Sequence, residues 1–281
     1  MSPCGPAART MSTDSSLPQD HARAPIVFLH GATSSSKAWD ALLPALSTKH
    51  RVLTPTLAGH LGGPPLPAGS AGVVSRIVDA TCRQLDEAAI ETAHVVGNSL
   101  GGWVALELAR RGRARSVLAL SPAGAWRSAR DLRRLLILFR GAAALGRAKK
   151  MSQLAARKHV RRVLLRLTAE HADRMTPAQA AAAFEDLAGC TVLPDILNGA
   201  RANGPIQPII DVGCRLRIAW SLNDRMLPFM RYGAPMLATV PTAEFELLPG
   251  VGHVPMIDDP VLVANTILAF VETTESQLKL H

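Results

Sequence analysis

The stretch HVVGNSLGGW, His94 to Trp103, places a serine between Gly97 and Gly101, directly after an apolar run and directly before a helical pattern. Alanine, leucine or valine at position 99 would extend either neighbour more readily. A polar residue flanked by glycines instead marks a backbone bent through a tight corner. AHVVG (93–97) reads as a buried strand and LGGWVALELARRG (100–112) as a helix ending at Gly112, so the corner is a strand-to-helix turn. In that setting G-x-S-x-G carries chemistry. Small neighbours let the hydroxyl project at the strand's C-terminal end, and the next helix directs its first N–H groups at an anion formed there. Outside that setting, a helix-capping serine in a glycine-rich turn would explain the motif equally well.

Working outward, short apolar runs alternate with longer helical ones. IVFLH (26–30), RVLTP (51–55), RSVLALS (115–121), LRIAWS (216–221) and AEFELLP (243–249) read as further strands. KAWDALLPALS (37–47), GVVSRIVDATCRQLDEA (72–88), PFMRYGAPMLATV (228–240) and PVLVANTILAFVETT (260–274) read as helices, with Pro44 set to shorten or bend the first. Alternation of this kind predicts an α/β fold: a mostly parallel central sheet with helices on both faces. Between Ser121 and about Pro208 the strands stop and the chain turns Ala-, Arg- and Leu-rich. The expected organisation is a core over 25–121 and 209–281, with a helical insertion over 122–208. No internal repeat is present.

Bulk properties fit one α/β domain of 281 residues, 48% hydrophobic and 19% charged. Residues 1–24 are rich in Ser, Pro, Ala and Asp without an apolar h-region, and read as a flexible tail rather than a signal peptide; Met11 is an alternative start. No apolar run approaches the ~18 residues of a membrane-spanning helix. Cys4, Cys82, Cys190 and Cys214 are scattered, with no CxxC pair, which fits neither a zinc site nor a disulfide framework and points to a reducing, cytoplasmic setting. The net charge of +9 is local: residues 127–174 hold 14 Lys and Arg against 3 Asp and Glu, while the remainder is slightly acidic. No nucleic-acid motif accompanies the basic segment and aromatics make up 4% of the chain, so nucleic acid is not the expected partner.

A serine hydroxyl is a poor nucleophile near neutral pH and needs a base, which in turn needs a carboxylate to orient it. LPGVGHVPMIDDP sets His253 in a Gly/Pro-rich loop after the last strand. His30 ends a strand before Gly31 and reads as shaping that turn; His60, in LAGHLGG, reads as structural. IAWSLNDRMLP sets Asp224 just past a strand, where it serves either as the orienting carboxylate or as a helix N-cap. Asp258 and Asp259, beside Pro260, read as caps for the final helix. The chain order is Ser99, Asp224, His253.

With FLHGATSSSKAW, TPTLAGHLGG, GNSLGG, SLNDRMLP and GVGHVPMIDDP in hand, the sequence resembles the α/β-hydrolase fold superfamily over about 25–121 and 209–274. The resemblance implies a Ser99–Asp224–His253 triad, an oxyanion hole from the backbone N–H groups of Ala32 and Leu100, and a lid formed by the 122–208 insertion. It implies no metal or organic cofactor. Members usually begin with an antiparallel hairpin; the first 24 residues are too polar and short for one, so a sheet of about six strands with an exposed edge is expected. The activity so implied is acyl transfer to water on a small apolar or acyl substrate, as in a carboxylesterase or lipase. Thioesterases, cofactor-free haloperoxidases and carbon–carbon bond hydrolases share the triad; Val254-Pro255-Met256, without a Trp, weakens the last. Haloalkane dehalogenases and epoxide hydrolases need an Asp nucleophile and are disfavoured by Ser99. A non-catalytic binding protein is the competing class. The basic, apolar stretches DLRRLLILFRGAAALGRAKKM (131–151) and RKHVRRVLLRL (157–167) leave open weak contact with an anionic membrane surface, although a solvated helical face is the favoured reading of the charges.

Overall fold

The computed structural model describes residues 23–146 and 150–280; the expected tail, with Cys4 and Met11, lies almost wholly outside them. Six strands, β1 (Ile26–Leu29), β2 (Val52–Leu53), β3 (Ala93–Asn98), β4 (Ala114–Leu120), β5 (Arg215–Ser221) and β6 (Glu244–Leu248), form one sheet in the order β2-β1-β3-β4-β5-β6, and every pairing is parallel. The helices are α1 (Leu43–Leu46), α2 (Val73–Glu87), α3 (Leu100–Arg110), α4 (Ala129–Gly146), α5 (Lys150–Ala155), α6 (Lys158–Leu164), α7 (Pro177–Gly189), α8 (Leu193–Asn203), α9 (Phe229–Thr239), α10 (Pro255–Asp258) and α11 (Pro260–Leu278).

Alternation along each strand divides the core in two. Val27, Leu29, Val95, Val117, Ala119, Ile218 and Trp220 face one layer with α2, α3, α8 and α9. Ile26, Phe28, Val96, Leu118, Leu120 and Ala219 face the other, against Trp39, Leu42, Leu46 and the α11 residues Val263, Ile267 and Phe270. Strands buried on both faces are why β1, β3 and β4 read as continuous apolar runs.

The expected helix over 37–47 is not one helix. Ser36–Trp39 forms a 3₁₀ turn, and α1 is a single turn with Pro44 near its start. Pro44 has no N–H to donate to a preceding turn, so the periodicity predicted the buried residues but not the hydrogen bonds. Between β4 and β5 the described regular elements are all helices, α4 to α8, with a 3₁₀ turn at Ala172–Arg174.

Candidate active site

The parallel sheet brings the C-terminal ends of its strands to one edge, and the loops there carry each residue singled out above. Ala32 follows β1, Ser99 joins β3 to α3, Asp224 follows β5 and His253 follows β6.

The turn at Ser99 shows what the small neighbours are for. Gly97 and Gly101 do not supply positive φ; Ser99 itself does, with φ 55° and ψ −116°. A non-glycine residue there costs on the order of 1–3 kcal/mol, which surrounding structure must offset. Hydrogen bonds hold it: Ser99 N–H donates to Leu120 O (3.0 Å), while Ser99 O accepts from Trp103 N–H (3.1 Å) and Ala123 N–H (2.9 Å). The glycines are needed for close approach. A Cβ on Gly97 would lie 2.1 Å from Gly101 O, and one on Gly101 would lie 2.0 Å from Leu29 O. Gly31 is pressed to the serine so closely that an added Cβ would sit 3.3 Å from Ser99 Cβ. The loop carrying Ala32 is thereby held beside the turn. Neither the Ala32 nor the Leu100 N–H is engaged by another group among the described residues.

Asp224 and His253 meet. His253 Nδ1 donates to Asp224 Oδ2 at 2.7 Å, and both residues are only 5% exposed. Because a carboxylate can only accept, this bond places the proton of the neutral imidazole on Nδ1 and leaves Nε2 as a base. Asp224 Oδ1 accepts from Leu227 N–H at 2.6 Å, so the residue caps the following turn as well. The two readings of Asp224 are not exclusive. Among the described residues the His253 side chain bonds only to Asp224, and no hydrogen bond joins its Nε2 to Ser99 Oγ; contacts of this kind tighten when substrate binds. The link between the serine turn and the histidine loop runs through Asn98, buried, whose Nδ2 donates to His253 O (2.9 Å) and Leu120 O (3.1 Å). Sequence reasoning missed Asn98; the available signal was an amide at the end of a buried strand.

His30 engages both ring nitrogens with backbone. Nε2 accepts from Leu57 N–H (2.9 Å), which fixes the proton on Nδ1 for donation to Gly31 O (2.8 Å). Burial first, then the neighbouring His60 ring, pushes its pKa down to about 3. His60 stacks edge-on at 5.0 Å, its pKa lowered to about 4 by burial.

Asp258 corrects the sequence reading. Asp259 caps α11, accepting from Leu262 N–H at 2.9 Å. Asp258 instead accepts from Gly252 N–H (2.7 Å), Glu170 N–H (3.0 Å) and His171 N–H (2.6 Å). Nothing in DDP distinguishes the two acids. Another buried acid, Asp186 in α7, accepts from Ser35 Oγ at 2.6 Å, with its pKa raised by burial. A cavity of about 580 Å³ lies in the insertion, lined by residues of α4, α7, α8 and the link between the last two, such as Arg140, Leu187, Cys190, Leu193 and Leu197, and not by Ser99, Asp224 or His253.

Residues 26–266 match the model of the alpha/beta hydrolase family. The epoxide hydrolase EphH of Mycobacterium tuberculosis is 34% identical over 200 residues, covering 70% of this chain and 94% of that protein. Among solved structures, 2-hydroxy-6-oxo-6-phenylhexa-2,4-dienoate hydrolase from Rhodococcus sp. strain RHA1 superposes with a TM-score of 0.70 at 19% identity, covering 88% of this chain and 90% of that one. A thermophilic esterase from Thermogutta terrifontis gives 0.68 at 18%, covering 89% and 90%. At such identities these two structures speak for the fold.

Proposed function

Since the chain belongs to the alpha/beta hydrolase family, we propose that it is a serine hydrolase cleaving a carboxylic ester or related acyl substrate through an acyl-enzyme on Ser99. His253 Nε2 takes the Ser99 proton as Oγ attacks the carbonyl carbon. The Ala32 and Leu100 N–H groups stabilise the tetrahedral oxyanion. As the carbon–oxygen bond to the leaving group breaks, His253 returns the proton to that oxygen. Water then attacks the acyl carbon with His253 again as base, and Ser99 Oγ leaves as the hydroxyl. Asp224 holds the Nδ1 tautomer and stabilises the transient imidazolium. The helical insertion acts as the lid that selects the acyl group.

One observation carries this reading: the His253–Asp224 bond at 2.7 Å, which readies an imidazole on the loop that Asn98 ties to the strained serine turn. The test is a panel of p-nitrophenyl esters and a thioester, with a fluorophosphonate probe, on wild type and Ser99→Ala. Turnover and labelling are expected in wild type, with both lost in a folded Ser99→Ala variant. Equal turnover by the variant would end the assignment.

The likeness to an epoxide hydrolase raises a second reading, and the chemistry of position 99 decides against it. A carboxylate that opens an epoxide forms an ester, which water can cleave. A serine hydroxyl that opens one forms an ether, which traps the enzyme after one event. We expect no turnover of an aryl epoxide; epoxide hydrolysis that survives Ser99→Ala would replace the present reading.

A further inference from the structure

We propose that residues 168–174 of the insertion form a strap that positions both His253 and Asp224, and that Asp258 is the positioning residue through which it acts. Its catalytic consequence rests on the serine hydrolase reading; its structural consequence does not.

The loop after β6 contains Gly250 and Gly252 and has no regular structure around His253. Such a segment cannot fix an imidazole by itself, because glycine-rich backbone samples many conformations. External bonds fix it on both sides of the histidine. The preceding residue, Gly252, donates its N–H to Asp258 Oδ2 (2.7 Å), and the following residue, Val254, donates its N–H to Thr168 O (2.8 Å). Asp258 also takes the N–H groups of Glu170 and His171, so one buried carboxylate clasps the histidine loop and the strap together. Arg174 closes the clasp by donating to Asp258 O. Packing agrees: a Cβ on Gly252 would lie 2.8 Å from Glu170 N and 3.0 Å from Ala169 C.

The same strap reaches the other member of the pair. Glu170 is ion-paired with Arg225, Oε2 to Nη1 at 2.5 Å, and Arg225 directly follows Asp224. The guanidinium holds the Glu170 carboxyl below the usual carboxylate range. A helix cap needs one N–H, and Asp259 already caps α11. Three donors on the 1%-exposed Asp258, two of them from the insertion, go beyond anchoring a helix. A carboxylate buried so deeply is tolerated only with its acceptor sites filled, so loss of the strap's donors would be costly and would shift the loop.

Three variants separate positioning from a merely structural role. Asp258→Asn replaces one acceptor oxygen with a donor. Gly252→Ala wedges loop from strap while leaving every hydrogen-bonding atom in place. Glu170→Gln removes the ion pair alone, and keeps the proposal testable if Asp258→Asn does not fold. The first measurement is the low-field proton resonance of His253 Nδ1–H, identified by its absence in Asp224→Asn, which needs no activity. The second is the rate of fluorophosphonate labelling at Ser99 as a function of probe concentration. In folded Asp258→Asn and Gly252→Ala the resonance is expected to broaden or vanish. Their maximal labelling rate should fall by about 10-fold to 100-fold, with half-saturating probe concentration unchanged. Glu170→Gln should lose about threefold. Folded variants that keep a sharp resonance and wild-type labelling overturn the proposal. A resonance that depends on the strap in a wild type that is never labelled upholds the positioning and removes the hydrolase reading instead.

Discussion

At position 101 the tolerance for any side chain is nil. The Cβ of Gly101→Ala would lie 2.0 Å from Leu29 O, and the obstacle is backbone at the C-terminal end of β1, which has no rotamer to change. We expect destabilisation of at least ~3 kcal/mol, read as a lowered urea midpoint or loss of soluble protein. Gly141→Ala is the control. It lies in α4 with nothing within 4 Å of the added carbon, and should gain ~0.5–1 kcal/mol from helix propensity. Asp224→Asn should separate chemistry from stability. The amide oxygen can still accept from Leu227 N–H, so the melting temperature should change little, while Ser99 labelling slows by ~10³–10⁴ because the wrong imidazole tautomer is favoured. At this scale the sequence was informative where a residue type is rare for its place: serine at a strand end, histidine in a Gly/Pro loop. It was silent where one residue type fits two roles. Asp258 and Asp259 are adjacent identical acids before a proline, and only the fold sends one to α11 and the other to the strap.

The loops after β1 and β2 form a unit through two imidazoles. His30 accepts from Leu57 N–H, and His60 packs against it at 5.0 Å. Burial lowers both pKa values, to about 3 and about 4, against 6.5 for an exposed imidazole. The sign follows from proton uptake: below pH 6.5 the unfolded chain binds two protons that the folded chain refuses. Stability is therefore full above pH 6.5 and falls as pH drops towards 4, where His60 begins to protonate in place. The slope from this pair is ~2.7 kcal/mol per pH unit. A series of melting curves from pH 8 to 4 should show the decline, and His60→Asn should take ~1.4 kcal/mol per pH unit off its slope, the burial-lowered His50 and His94 contributing to the remainder; a slope unchanged by the substitution would remove His60 from the account. Element boundaries show why such coupling was out of reach of the sequence. The periodicity of Trp39, Leu42 and Leu46 gave the right buried face, yet Pro44 broke the helix into two turns. The pairing of His30 with the 57–60 loop joins residues some 27 apart, and no local pattern encodes it.

For the whole chain, the question is whether the insertion melts apart from the sheet. Its charge count suggested a solvated basic cover, but Arg161 is buried, donating to Ala155 O, Ala156 O and Ala172 O, and so ties α6 to its own neighbours rather than to solvent. Two parts of the insertion differ in how they join the core. Leu193 and Leu197 of α8, with Cys190 and Val192 before it, belong to the same apolar cluster as Val27, Val95 and Ile218 of the sheet. Thr191 and Val192 N–H donate to Gly59 O at 3.0 and 3.2 Å, and Arg231 and Tyr232 of α9 bond Asp131 of α4. By contrast Ala155, Ala180 and Phe184, from α5 and α7, form a separate small cluster. A cluster of that size buries too little apolar surface to unfold as an independent cooperative unit, yet enough to open locally. We therefore expect one calorimetric transition whose measured and van't Hoff enthalpies agree. Native-state hydrogen exchange should show α5, α6 and α7 opening at lower free energy than α8, which exchanges with the sheet. A second melting peak, or α8 exchanging together with α5 to α7, would mean that the insertion is a module of its own, and that α8 does not belong to the core its contacts imply.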